Sequence, residues 1–118
     1  MAKPIYKLLM FRNTEAYYLA SQSERDEVLG KLDAAFKKVG GKRIVRCDSS
    51  WSSKEWPVFG VEQFPDIEAV QAYSRALQEL NLARYVVSTT ILGTELESEQ
   101  RAYFSLLLCD LHNLISTT

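Results

Sequence analysis

Between Ile5 and Gly93 the apolar residues change their spacing in a fixed order: a continuous run, helical spacing, two strand-like stretches, helical spacing, then alternation. Residues 5–12 form a mixed run of Ile, Tyr, Leu, Met and Phe, long enough for a strand covered on both faces but too short for a lone buried helix. The polar step Arg12-Asn13-Thr14 ends it, and Tyr17, Tyr18 and Leu19 make an aromatic connector. Ser23 can cap a helix whose first turn holds Glu24, Asp26 and Glu27, where the dipole favours acids. Val28, Leu29, Leu32, Ala35, Phe36 and Val39 mark one face of it. Gly40-Gly41 offers the left-handed stop.

Residues 42–48 alternate, with Arg43, Val45 and Cys47 on one side and Ile44, Arg46 and Asp48 on the other. After a Ser-rich turn, residues 56–64 read as the next strand, and the short connection makes a hairpin. Pro57 suits an edge or an entry to the sheet. Asp66 can cap a second helix with the stripe Ile67, Val70, Tyr73, Leu77 and Leu80, and residues 85–92 give a β-branched fourth strand. The order strand, helix, strand, strand, helix, strand is the split βαβ unit: an α+β domain with a four-stranded antiparallel sheet and two helices on one face. We assign residues 1–94 to that domain. Residues 95–118 form a C-terminal extension whose Phe104, Leu107, Leu108, Leu111 and Ile115 fit an amphipathic helix docked on a sheet edge or a partner.

Composition narrows the function classes. The 14 basic and 15 acidic residues nearly cancel, which disfavours nucleic acid and anionic membranes as partners. No apolar run is long enough to span a bilayer, and residues 1–5 lack the apolar core of a secretory signal, so a cytoplasmic location is expected. Cys47 and Cys109 are too few and too far apart for a disulfide framework or a zinc motif.

Sorted by alternation, Leu9, Phe11, Val45, Cys47, Phe59, Val61, Val87 and Ile91 form a nearly apolar set, expected under the helices. The opposite set mixes Tyr6, Leu8, Met10, Arg12, Arg46, Asp48, Trp56, Val58, Gly60, Glu62, Ser88, Thr90 and Leu92. Such a face is too apolar for water and too polar for a dry core. A second copy packed on it resolves both problems and encloses a cavity, with Tyr6, Met10, Arg12, Arg46, Asp48, Trp56, Glu62, Ser88 and Thr90 as candidate ligand-binding residues.

The stretch Phe59-Gly60-Val61-Glu62-Gln63-Phe64-Pro65-Asp66-Ile67-Glu68-Ala69, with Tyr73 beyond it, resembles the ferredoxin-like dimeric α/β-barrel superfamily. A narrower likeness is to the darcynin-like proteins, carried by Tyr18-Leu19, Glu24-Arg25, Arg46, Asp48, Trp51 and Ile91-Leu92-Gly93. Residues 49–56 and the longer tail depart from that pattern. The superfamily includes cofactor-independent monooxygenases, lactone isomerases, haem-degrading enzymes and plain ligand binders. The resemblance therefore implies a homodimer that binds a small apolar or anionic organic ligand, with or without a monooxygenase or isomerase reaction. The other reading is a non-enzymatic assembly module, and an open cavity as against a packed interior separates the two.

The only histidine, His112, lies outside the four-stranded unit, which argues against a histidine-ligated haem, a multi-histidine metal site and a Ser/His/Asp or Cys/His nucleophile. No cofactor is expected, since Gly40-Gly41 follows a helix where a phosphate cradle precedes one. Arg12, Arg46, Asp48 and Glu62 carry two readings: a carboxylate base beside an arginine that steadies an oxyanion, or a salt-bridge network across the sheet or dimer seam. Tyr17, Tyr18, Trp51 and Trp56 suit either a pocket lip or ordinary loop packing.

Overall fold

The computed structural model describes residues 3–99. Its strands are β1 (Ile5–Asn13), β2 (Lys42–Asp48), β3 (Val58–Phe64) and β4 (Val86–Gly93), and its helices are α1 (Glu15–Leu19), α2 (Gln22–Lys38) and α3 (Ile67–Glu79). A 3-10 turn at Leu82–Arg84 leads into β4. The sheet runs β2-β3-β1-β4 and every pairing is antiparallel, so the chain is an α+β ferredoxin-like domain. The proposed C-terminal stripe from Phe104 to Ile115, with Cys109 and His112, lies outside the described residues.

Local signals explain the boundaries. Ser21, and not Ser23, caps α2: its backbone is extended and its hydroxyl accepts the Glu24 N–H at 3.1 Å. The helix therefore starts earlier than its acidic turn suggests. At its other end Gly40 adopts φ 81°, and the Gly41 N–H donates to the Phe36 carbonyl at 2.9 Å. Asp66 caps α3 as expected, accepting the Ala69 N–H at 2.8 Å.

The packed core sits at one end of the domain. Phe36 of α2, Phe64 of β3 and Tyr73 of α3 meet with ring centroids 5.4–5.6 Å apart, joined by Ala69 and Val70. Phe64 pairs with Ile5, which fixes one residue row of β1 and β3 beneath the helices. Strand parity then carries the whole sheet. Lys7 opposite Glu62, Leu9 opposite Gly60, and Phe11 opposite Val58 all face the helices. Through β4, Leu92, Thr90, Ser88 and Val86 join them.

This register overturns the expected sorting of faces in three strands. Val45, Cys47, Phe59, Val61, Val87 and Ile91 lie on the open face with Tyr6, Leu8 and Met10, while Arg46, Asp48, Val58, Glu62, Ser88, Thr90 and Leu92 face the helices. The cause in β2 is a bulge between Arg43 and Val45. The extra residue shifts the phase, so Arg43 opposite Glu62 and Arg46 opposite Gly60 share one face.

Two glycines test this packing with opposite signs. A Cβ on Gly60 would lie 2.8 Å from the Val45 backbone carbonyl, which no rotamer change relieves. Gly60→Ala should lower unfolding stability by about 1–3 kcal/mol in urea titrations. Gly30, inside α2 with nothing within 4 Å of its Cβ position, should respond the other way, Gly30→Ala adding about 0.5–1 kcal/mol. Equal behaviour of the two variants would refute the register.

Candidate functional site

At the end of the domain away from the aromatic core, the helices stand off the sheet and leave a cavity of about 280 Å³. Its floor is Lys7, Leu9, Phe11 and Asn13 of β1 with Glu62 of β3 and Ser88 of β4. Its walls are Val28, Leu29 and Leu32 of α2 and Leu77 of α3, and Tyr17, Leu82, Tyr85 and Val86 complete the lining. Arg43 and Arg46 enter from β2 and Tyr73 from α3, and a hollow lined by Asp33 adjoins them. The cavity thus has an apolar body and one charged end.

The charged end is built in layers. Glu62 is 3% exposed and Lys7 7%. Lys7 Nζ lies 4.0 Å from Glu62 Oε1, and Arg46 Nη2 lies 3.9 Å from Glu62 Oε2. Both separations exceed hydrogen-bond length, so the attraction is through space. Among the described residues Glu62 Oε1 has no hydrogen-bond partner. Aromatic faces seat the cations: Lys7 over Tyr73 at 5.3 Å, Arg46 over Phe11 at 5.3 Å and Arg43 over Phe36 at 5.9 Å. Burial lowers the Lys7 pKa, with Glu62 opposing it. Burial and then Arg43 lower that of Arg46, again against Glu62. Burial, reinforced by Glu62, pushes the Tyr73 phenol well above its ordinary value.

The far end is pinned by backbone contacts. The Arg25 guanidinium donates to the carbonyls of Tyr17 and Tyr18 at 2.9 and 2.6 Å and stacks 5.0 Å over the Tyr17 ring. Thr14 donates its N–H to the Tyr85 carbonyl and its hydroxyl to the Arg84 carbonyl, tying the entry of α1 to that of β4.

The expected constellation divides between two places. Arg46, Glu62 and Ser88 line the cavity on the helix side, and Thr90 shares their face without lining it. Tyr6, Met10 and Arg12 belong to the open face, where the Arg12 guanidinium lies 5.1 Å over Trp56 and donates to the Glu55 carbonyl. Arg12 and Glu62 therefore do not form one cluster. Asp48 serves its turn, accepting the Ser50 N–H and hydroxyl at 2.9 and 2.6 Å, and these bonds lower its pKa. Lys7, Arg43 and Tyr73 were not anticipated as site residues. The available signal was Lys7 itself, a lone cation inside the apolar run of β1. Among the described residues no cluster of His, Cys, Asp and Glu could hold a metal, and no helix is long and apolar enough to cross a membrane.

No family model matches the chain, nor does any curated protein. Solved structures do resemble it. A protein of unknown function from Rhodopseudomonas palustris superposes with a TM-score of 0.57 at 16% identity, over 82% of this chain and 85% of that one. A hypothetical Arabidopsis thaliana protein gives 0.53 at 12% identity, over 80% and 90%. SnoaB, a cofactor-independent oxygenase from Streptomyces nogalater, gives 0.47 at 16% identity, over 82% and 97%, a likeness too loose to bear on chemistry. The first two establish shared fold alone.

Tyr73 gives the site a pH signature. Its folded pKa lies above the ordinary 10.0, so its neutral form contributes stability in full below that pH. The contribution is lost as pH rises toward the folded value. Lys7 acts oppositely, because its pKa is lowered from 10.5 and the cost of its charge is relieved as pH climbs toward that value. Melting temperatures above pH 10.0 should therefore fall more steeply for the wild type than for Tyr73→Phe. Parallel curves would mean that Tyr73 ionises as freely folded as unfolded.

Proposed function

We propose that this protein binds a small organic anion, its acidic head at Arg43 and Arg46 and its apolar body along Leu9, Phe11, Leu29, Leu32 and Leu77. The observation that carries the reading is the charge imbalance of the lining. Three cations meet one carboxylate at one end of a cavity that is otherwise mainly apolar and aromatic. A bound anion lowers that excess, and the half-exposed Arg46, with 38% of its side chain accessible, stands where an incoming anion first meets the site. The cavity is close to the ~300 Å³ lower end of ligand sites, which suits a molecule of one ring.

The open face supports a homodimer of the α/β-barrel kind. Tyr6, Leu8, Met10, Val45, Cys47, Phe59, Val61, Val87 and Ile91 make it more apolar than the face beneath the helices, with Val45 43% and Ile91 60% exposed. Val58 and Leu92, expected on this face, lie beneath the helices and contribute nothing to the contact. Arg12 and Trp56 supply a polar and aromatic margin. The same face is what an assembly module without a ligand would use, and the charged cavity is what favours the binding protein over it.

Calorimetry with benzoate and neutral benzamide tests the head group. Benzoate should bind and benzamide should not, and Arg46→Met should weaken benzoate about ten-fold or more. Equal affinity for the two probes, or benzoate binding indifferent to Arg46, would refute an anion site. Sedimentation of Val61→Lys tests the dimer. Val61 sits between Leu8 and Val45, and the variant should run as a monomer where the wild type does not. A wild-type monomer at micromolar concentration removes the proposed contact.

A further inference from the structure

Glu62 sets a chemical condition on the ligand that the anion reading does not contain. Glu62 lines the cavity, and its buried Oε1 accepts no hydrogen bond from any described residue. An orphaned buried acceptor is costly, and more so when it carries charge. Lys7 Nζ stands 4.0 Å away, too far to donate. The group that serves both must accept from an ammonium and donate to a carboxylate at once. A carboxylate only accepts and an ammonium only donates, whereas a hydroxyl does both.

The geometry suits a hydroxyl. An oxygen about 2.7 Å from the carboxylate and about 2.9 Å from the ammonium, the usual charge-assisted lengths, spans the 4.0 Å separation with an angle of roughly 90° between its two bonds. We propose that Lys7 and Glu62 recognise a hydroxyl on the bound anion, making the ligand class a hydroxylated organic acid of the hydroxybenzoate type. This rests on the anion reading: Arg43 and Arg46 take the acid, and the buried pair takes the hydroxyl. Glu62 is then the specificity determinant of the site, since an analogue without the hydroxyl leaves Oε1 unpaired.

Calorimetry with benzoate, meta- and para-hydroxybenzoate, and the methyl ether of whichever hydroxybenzoate binds tighter separates the claims. The better hydroxybenzoate should bind about ten-fold or more tighter than benzoate, and its methyl ether, which cannot donate to Glu62, no tighter than benzoate. Glu62→Gln should shrink the hydroxyl preference to about two-fold or less while tightening benzoate, because a negative charge leaves the site. A purely structural Glu62 would not produce those opposite movements. If that variant fails to fold, the hydroxyl and methoxyl comparison in the wild type decides alone. Hydroxyl and methoxyl giving the same gain, or neither giving any, overturns the proposal while benzoate binding through Arg46 leaves the anion reading standing. Loss of benzoate binding altogether fails the anion reading instead.

Discussion

Glu62 lies near the middle of the sheet beneath two helices, and its charge must be offset where almost no water reaches it. Lys7 across the strand pair and Arg46 on the next strand do this at 4.0 and 3.9 Å. Removing either partner would leave the buried carboxylate with one countercharge in place of two, so the three positions depend on one another. They also fix the neighbourhood. Arg46 needs the Phe11 face beneath it, Lys7 needs Tyr73, and the Gly60 backbone must come close enough to β2 to bring Arg46 over the cavity.

The aromatic core explains why the cavity is where it is. Phe36, Phe64 and Tyr73 close one end by packing the last turn of α2 onto the end of β3 and the middle of α3. Toward the other end α2 offers Val28, Leu29 and Leu32 and α3 offers Leu77, side chains too short to close the space above Leu9 and Phe11. Tyr73 belongs to both regions, its ring in the core and its surface toward Lys7. Changes in the charged layer are therefore felt in the core.

The order of elements was legible because caps and periods agree at each step, as at Asp66 and Gly40. The faces were not, for three physical reasons. In β4 the β-branched Val87 and Ile91 read as the inner row, yet pairing with β1 sets Ser88 opposite Phe11 and Thr90 opposite Leu9, beneath the helices. In β2 the bulge at residues 43–45 breaks the parity that placed Arg43 with Val45. In β3 the natural preference puts Phe59 and Val61 inside and Glu62 outside. Yet Phe64 has the parity of Glu62, and burying that ring in the core draws the carboxylate in with it. Reading β3 backwards from Phe64 would have located the site. Arg46 and Glu62 were expected on one face and they share one, but it faces the helices.

The inversion of the two faces has an energetic meaning. Among the described residues the buried hydrophobic core consists of Phe36, Phe64, Ala69, Val70 and Tyr73, a small set for a sheet of four strands. The helix side gives up part of its apolar area to Lys7, Glu62, Arg43, Arg46 and the cavity beside them. The open side carries Val45, Val61, Val87 and Ile91 in excess of what water tolerates. In the proposed dimer these facts compensate. At about 25 cal/mol per Å² of apolar surface removed from water, a shared sheet face supplies the burial that each protomer lacks under its helices. Under that proposal a charged, partly open interior is compatible with a stable fold, because association of the open faces would supply burial that the helix side lacks.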